Sequence, residues 1–190
     1  MTNPSADTTW RAMTPDDLAA VITLAGHIHT DYPEDAAVFA ERLALCPTGC
    51  LVLDGPLGVV GYLISHPWQG PLSPPLNTLL GALPATPESW YIHDVALAPA
   101  ARGAGHAGKV VPLVEGMARQ HGLPRLSLTS TRQPLSLWHR QGLVDEEIPA
   151  ADRAILASYY PPDRPLTRHP ALHRSRLGRP QTTFCVCSTP

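Results

Sequence analysis

The spacing of apolar residues changes period several times along the chain, and each change marks an element. Thr9–Met13 predicts a short strand. Thr14 then reads as a helix N-cap, with Pro15 at the first helical position and Asp16 and Asp17 in the first turn. Leu18, Val21, Ile22 and Ala25 recur at helical spacing and predict a helix to about His29. After the turn TDYPED, Ala37, Val38, Ala40, Leu43 and Leu45 predict a second helix over 35–45, closed by Pro47 and Gly49. The pattern then shortens to that of a hairpin: CLVLD (50–54), the turn GPLG (55–58) and VVGYLIS (59–65). Pro67 to Pro87 contains six prolines and reads as a loop, with a short helical piece around LNTLLGAL. WYIHDVAL (90–97) is a strand, APAARGAG a turn, 106–121 a helix and RLSLTS (125–130) a strand. PLSLWHRQG (134–142) is a short helix ended by Gly142, and the last strands fall near LVDEE and ILASYY. Pro112 sits early in the 106–121 helix, where it is expected either to kink the helix or to turn the Gly108 carbonyl elsewhere.

This order predicts a mixed α/β domain over 1–169, followed by an Arg- and Pro-rich flexible tail over 170–190. The composition agrees: 44% of residues are hydrophobic and 16% charged, enough for a core and too little charge for a disordered chain. The net charge of −2 gives no global attraction to nucleic acid or an acidic membrane. Arg174, Arg176 and Arg179 in the tail are too few to change that. No apolar run approaches the roughly 20 residues of a membrane span, and MTNPSADTTW lacks the pattern of a signal peptide, so a cytoplasmic protein is expected. Cys46, Cys50, Cys185 and Cys187 read as free thiols, because C-x-x-x-C with C-x-C is not the usual structural zinc spacing. No metal is expected.

The stretch ARGAGHAGKV (101–110) carries the chemistry, and its letters fit three phosphate motifs. All three present backbone amides at a helix start. Gly103, Gly105 and Gly108 spell the dinucleotide fingerprint, but no carboxylate closes the next strand, LTSTR, to hold a ribose. Gly103, Gly108 and Lys109 spell a P-loop, but Val110 stands where Ser or Thr would anchor magnesium. Arg102, Gly105 and Ala107 spell R-x-x-G-x-A. With YIHDVAL before it, and LSLTS and PLSLWHRQGLV after it, this stretch resembles the GNAT superfamily of acyl-CoA N-acyltransferases. The match in element order covers roughly 9–168 and is specific over 90–144, with SYYPPDRPLTR (158–168) similar to a closing strand of relatives.

The resemblance implies a GNAT-like, mostly antiparallel, twisted sheet splayed at a cofactor cleft and flanked by helices. It implies acetyl-CoA as co-substrate, its pantetheine arm along Val95, Ala96 and Leu97. The diphosphate would lie within the loop Arg102, Gly103, Ala104, Gly105, His106, Ala107 and Gly108. It further implies transfer of an acetyl group to a primary amine, on a small molecule or a peptide, by direct attack in a ternary complex. A monomer or homodimer is expected.

N-acyl transfer requires a base for the amine and is helped by an acid for the thiolate. Asp94 is the candidate base; a hydrogen-bonded structural carboxylate is the alternative. His93 precedes it and in a regular strand points to the other face, as a packing residue. The family's acid, a tyrosine, falls at Trp138, whose indole N–H is not a useful acid. That departure keeps a second reading open, a non-catalytic acyl-CoA-binding sensor or interaction module. A third, nucleotide binding through Lys109, is weaker. The substrate side falls between the first two helices and the 66–90 loop, where Asp31, Glu34, His66 and Trp68 are candidates with Trp138. His27 and His29 form an H-x-H pair there and read as surface histidines.

Overall fold

The computed structural model describes residues 8–70, 73–130, 135–146 and 171–176. It begins with β1 (Thr9–Ala12), and Arg11 of this strand is bonded to the residue that precedes the first α-helix. The Arg11 guanidinium binds both oxygens of Asp17 at 2.8 Å and Asp54 of the next strand at 2.9 Å. Asp17 in turn accepts from the backbone N–H and hydroxyl of Thr14 at 2.8 and 2.9 Å. The expected cap at Thr14 is therefore closed from the third residue after it. A 3-10 turn (Pro15–Asp17) leads into α1 (Leu18–Ile28), and α2 (Ala36–Leu45) follows.

Strands β2 (Cys50–Gly55) and β3 (Gly58–Trp68) form the expected hairpin, and β4 (Ser89–Leu97) pairs antiparallel with β3. A 3-10 turn (His106–Lys109) precedes α3 (Val110–Gln120), and then come β5 (Arg125–Ser130), α4 (Leu135–Arg140), β6 (Val144–Glu146) and β7 (Ala171–Arg176). The strands form one sheet in the order β1-β2-β3-β4-β5-β7-β6. Among the described strands only the β4–β5 pairing is parallel, so the sheet is mixed and, as expected, mostly antiparallel.

The alternation of β3 divides the core. Tyr62 and Ile64 pack on one face with Val21 and Ala25 of α1 and Phe39 and Leu43 of α2. Leu63 packs on the other with Val110, Val111, Val114 and Ala118 of α3, together with Trp90, Leu126 and Leu128. Thirteen buried residues on the α3 face and ten on the α1–α2 face make both faces real cores, so neither helix layer is a surface attachment.

Three expectations change. Ala171–Arg176, placed by composition in the tail, is a strand between β5 and β6. Its membership rests on ladder bonds to both neighbours rather than on an apolar pattern, which is why composition missed it. The strand expected at ILASYY, the segment 158–168, Arg179, Cys185 and Cys187 lie outside the described residues. LNTLLGAL forms no helix, because the amides of Asn77, Leu80 and Gly81 donate to the carboxylates of Glu34 and Glu41 instead of to carbonyls of their own segment. Pro112 sits nearer the start of its helix than expected. Residues 106–109 are 3-10, so Pro112 falls in the first turn of the α-helix, where a backbone donor has no partner to lose.

Gly49 lets β3 approach the end of α2. A Cβ there would lie 1.9 Å from the Ser65 carbonyl oxygen, which is backbone and cannot swing aside. The Gly49 carbonyl also accepts from the Ser65 hydroxyl, which itself accepts from the Trp90 indole, at 2.8 and 2.9 Å. Gly49→Ala is expected to lower the unfolding free energy by about 1–3 kcal/mol, the cost of overpacking a core. The check is a lower urea midpoint at unchanged slope.

Candidate active site

The site is built on β4, and its geometry comes from one extra residue. Along the β3–β4 ladder Ile64 is opposite Asp94, but Ser65 is opposite Ile92, so His93 has no counterpart. A bulge of this kind resets the side-chain alternation. His93 and Asp94 consequently reach the same face, the one covered by α1 and α2. The expectation that they point apart holds only for a regular strand.

Each meets a partner from the turn between α1 and α2. His93 Nε2 donates to Glu34 Oε2 at 2.9 Å, and both side chains are nearly covered, with exposures of 4% and 7%. Asp94 Oδ2 accepts from the Tyr62 hydroxyl at 2.5 Å. Its Oδ1 lies 3.0 Å from His29 Nε2, a charged contact in which the ring N–H is not aligned on the oxygen. His29 is the more open partner at 28%, against 16% for Asp94.

The electrostatics follow from these contacts. Burial pushes the Asp94 carboxyl up, but His29, the Tyr62 hydroxyl and the charge of His93 outweigh it and hold the group below the usual carboxylate range. Glu34 is likewise pushed up by burial and brought below its usual value by His93 and the Asn77 amide. Burial pushes His29 down, whereas Asp94 and Glu34 more than compensate and raise it. Tyr62 is driven well up by burial and by the Asp94 charge, so its proton stays on the phenol. His66 is fully buried beside His93, ring centroids 5.9 Å apart. Its Nδ1–H donates to the Pro67 carbonyl at 3.0 Å, and burial, with the neighbouring His93, brings it down to about 3. It is therefore a neutral imidazole.

Glu34 also fastens the loop over this cluster. Its second oxygen accepts from the Asn77 amide at 3.0 Å, and Asn77 exchanges two further hydrogen bonds with Asp35. Buried Arg42 donates to the Thr78 carbonyl at 2.7 Å, and Glu41 holds the amides of Leu80 and Gly81 at 2.8 Å each. The proline-rich segment is thus a fixed wall rather than a loose insertion.

On its other edge β4 parts from β5. The parallel pairing covers only Trp90–Ile92 against Leu126–Leu128, after which β5 stays with β7 and β4 stays with β3. Among the described residues, nothing pairs with the β5-facing edge of His93–Leu97. The chain then turns through Pro99–Ala101, and the Arg102 Nε donates back to the Leu97 carbonyl at 3.1 Å. Gly103 and Gly105 both have φ of +82°, which glycine adopts without strain. A Cβ at either would meet open space, so conformation rather than crowding requires glycine. No hydrogen bond among the described residues uses the amides of 103–107, and the loop from Arg102 to Gly105 is exposed. A strand edge leading to a loop of unused amides at a helix start fits an extended ligand that ends in phosphate.

A model of the acetyltransferase (GNAT) family matches residues 15–142. The chain belongs to the GNAT acetyltransferases. Membership makes it an acyltransferase by family and acetyl-CoA its co-substrate. Solved GNAT structures share the fold. A GphF GNAT-like decarboxylase in complex with isobutyryl-CoA superposes with a TM-score of 0.71 at 16% identity, covering 90% of this chain and all of that one. Ard1 from Thermoplasma volcanium gives 0.65 at 12% identity, covering 92% of this chain and 100% of its own. The NatC complex bound to Gag peptide and CoA gives 0.64 at 13%, covering 90% and 99%. At these identities the likeness is one of fold. No curated protein sequence matches the chain.

Within this GNAT fold the candidate residues separate into groups. Val95, Ala96 and Leu97 lie on the unpaired edge and Arg102–Gly108 in the loop, although His106 is buried, with its carbonyl accepting from the Trp10 indole at 3.3 Å. Glu34 and His66 join Asp94 in the cluster. Asp31 lies partly exposed in the α1–α2 turn, and Trp68 at the end of β3 packs its ring 5.7 Å from His66. Trp138 is not brought to the cluster: it is buried on the α3 face with Leu128 and Leu143. His27 is exposed as expected, but His29 is not a surface histidine. Tyr62 was missed altogether, and its signal is only that it shares a face with Ile64 in β3.

These pairs have opposite pH signatures. Glu34 and Asp94 have lowered folded-state pKa values, so their stabilisation is complete above the unfolded values near 4 and is lost as pH falls through the folded ones. His29 is raised, so its stabilisation is complete below about 6.5 and is lost as pH rises through the folded value. Glu34→Gln is expected to melt at a lower temperature than the native chain at pH 7. The gap should narrow below pH 4, as read by thermal scans from pH 3 to 8.

Proposed function

We propose that this chain is an N-acetyltransferase that moves the acetyl group of acetyl-CoA to a primary amine, on a small molecule or a peptide, by direct attack in a ternary complex. The observation that carries the reading is the position of the acid–histidine cluster. It lies on β4 at the point where that strand parts from β5, one strand length from the glycine loop. A thioester held along Val95–Leu97 with its diphosphate at 102–108 would end beside Asp94. The carboxylates of Asp94 and Glu34 favour a cationic amine nearby, and the His29 imidazole offers a proton acceptor. The fixed wall from the 73–88 segment limits which amines enter.

Burial of Trp138 leaves the usual acid position without an acid, which favours the second reading, an acyl-CoA-binding sensor. Coenzyme A thiolate is a fair leaving group, and its departure does not demand a protein acid. Two measurements separate the readings. Acetyl-CoA is expected to raise the melting temperature, whereas ATP and NAD leave it unchanged; no shift with any coenzyme A species rejects both readings. Thiol release across a panel of primary amines then marks the enzyme, and binding without release marks the sensor. Gly105→Val places a β-branched residue at φ +82° and is expected to weaken acetyl-CoA about tenfold, the factor set by 1.4 kcal/mol. Titration of the variant by melting shift measures it.

A further inference from the structure

Asp94 is poorly placed to take a proton itself. Both of its oxygens are engaged, one by a phenol that keeps its own proton and one by an imidazole. His29 differs in each respect. Its Nε2 faces the carboxylate, its Nδ1 carries no hydrogen bond among the described residues, and it has the most exposed side chain of the two buried pairs, at 28% against 16%, 7% and 4%. A carboxylate behind one ring nitrogen fixes the tautomer and leaves the other nitrogen as the acceptor. Misalignment of the Nε2–H on Oδ1 is of the kind that tightens when a ligand arrives.

We infer that His29 is the general base of the acyl transfer, with Asp94 and, behind it, Tyr62 as the residues that position it. The inference rests on the N-acetyltransferase reading above. In this step the lone pair of the neutral amine forms the N–C bond to the thioester carbonyl. His29 Nδ1 takes the proton from that nitrogen, and the C–S bond breaks with its electron pair on sulfur. The proton on His29 then passes to the thiolate or to water, which restores the imidazole. The groups that face His29 are Asp94 of β4, with Tyr62 of β3 behind it, and Glu34 of the α1–α2 turn, with His93 of β4 behind that. Two carboxylates therefore set its titration, and both favour the protonated ring.

The test uses the full chain, acetyl-CoA and three amine probes: a peptide with a free α-amino group, a peptide with an internal lysine, and a linear diamine. His29→Gln is expected to lower kcat by about 100-fold or more, in the range that general bases contribute, with the acetyl-CoA melting shift unchanged. The acid limb of the kcat/KM profile should vanish in His29→Gln, and added imidazole should restore part of the rate in His29→Ala. Asp94→Asn should move the acid limb to lower pH, since it removes the charge that raises His29. A structural role for His29 would give neither the rescue nor the moved limb. Turnover by His29→Gln within twofold of the native chain, with the same acid limb, overturns the inference while the acetyltransferase reading stands. If His29→Gln shows no acetyl-CoA shift, an unmoved limb in Asp94→Asn overturns it. A native chain that binds acetyl-CoA but acetylates no probe rejects the acetyltransferase reading and this inference together.

Discussion

The bulge at His93 is the constraint on which the site depends. A strand that alternates without interruption would send either His93 or Asp94 to the α3 face, away from Glu34 and His29. The extra residue turns both toward α1 and α2, and Glu34 and His29 of the intervening turn receive them. The change in alternation comes where pairing between β4 and β5 ends. A cleft with charged groups at its inner end and a bare strand edge along its side thus follows from one unpaired residue.

Burial of two carboxylates is costly unless each is matched, and the structure matches them separately. Glu34 accepts from an imidazole and a backbone amide, Asp94 from a phenol and an imidazole. Breaking one partner of such a pair costs more than the pair itself contributes, because the remaining charge stays desolvated. Glu34 has a second function, since its other oxygen holds the proline-rich wall. The segment that shapes the entrance is therefore tied to the same carboxylate that holds His93, and neither can move alone.

Much of this was legible in the letters because it is local. The Thr14 cap, the GPLG hairpin, the strand 125–130 and the glycines that close turns are short-range patterns with short-range causes. The cofactor loop was legible because positive φ at Gly103 and Gly105 demands glycine wherever it occurs. The cluster was not, because it joins three separate segments. His29 looked like a surface residue at a helix end, and Glu34 like a substrate-side residue with no sign of its bond to His93. The pair His93-Asp94 carries no mark of a bulge; a strand register is a property of two strands. For β7 the cause is similar, since a strand bonded on both sides needs no apolar pattern to be held. Trp138 was read through a family position, whereas its neighbours Leu128 and Leu143 make it core.

The cluster also joins binding to proton transfer through its charge. With His29 protonated, the charge of Asp94 is compensated; loss of that proton leaves the negative charge uncompensated. An amine that arrives as a cation is drawn by that uncompensated charge, and like-charge repulsion then disfavours a proton on the nearest imidazole. The arrival of the cation therefore leaves His29 in the form that can accept a proton. A single carboxylate facing the cleft would attract the amine equally well, but it would bind the ammonium without providing a base stronger than itself. The imidazole, more open to the cleft than the carboxylate behind it, supplies that base, and this is the physical advantage of an Asp94 that acts through His29.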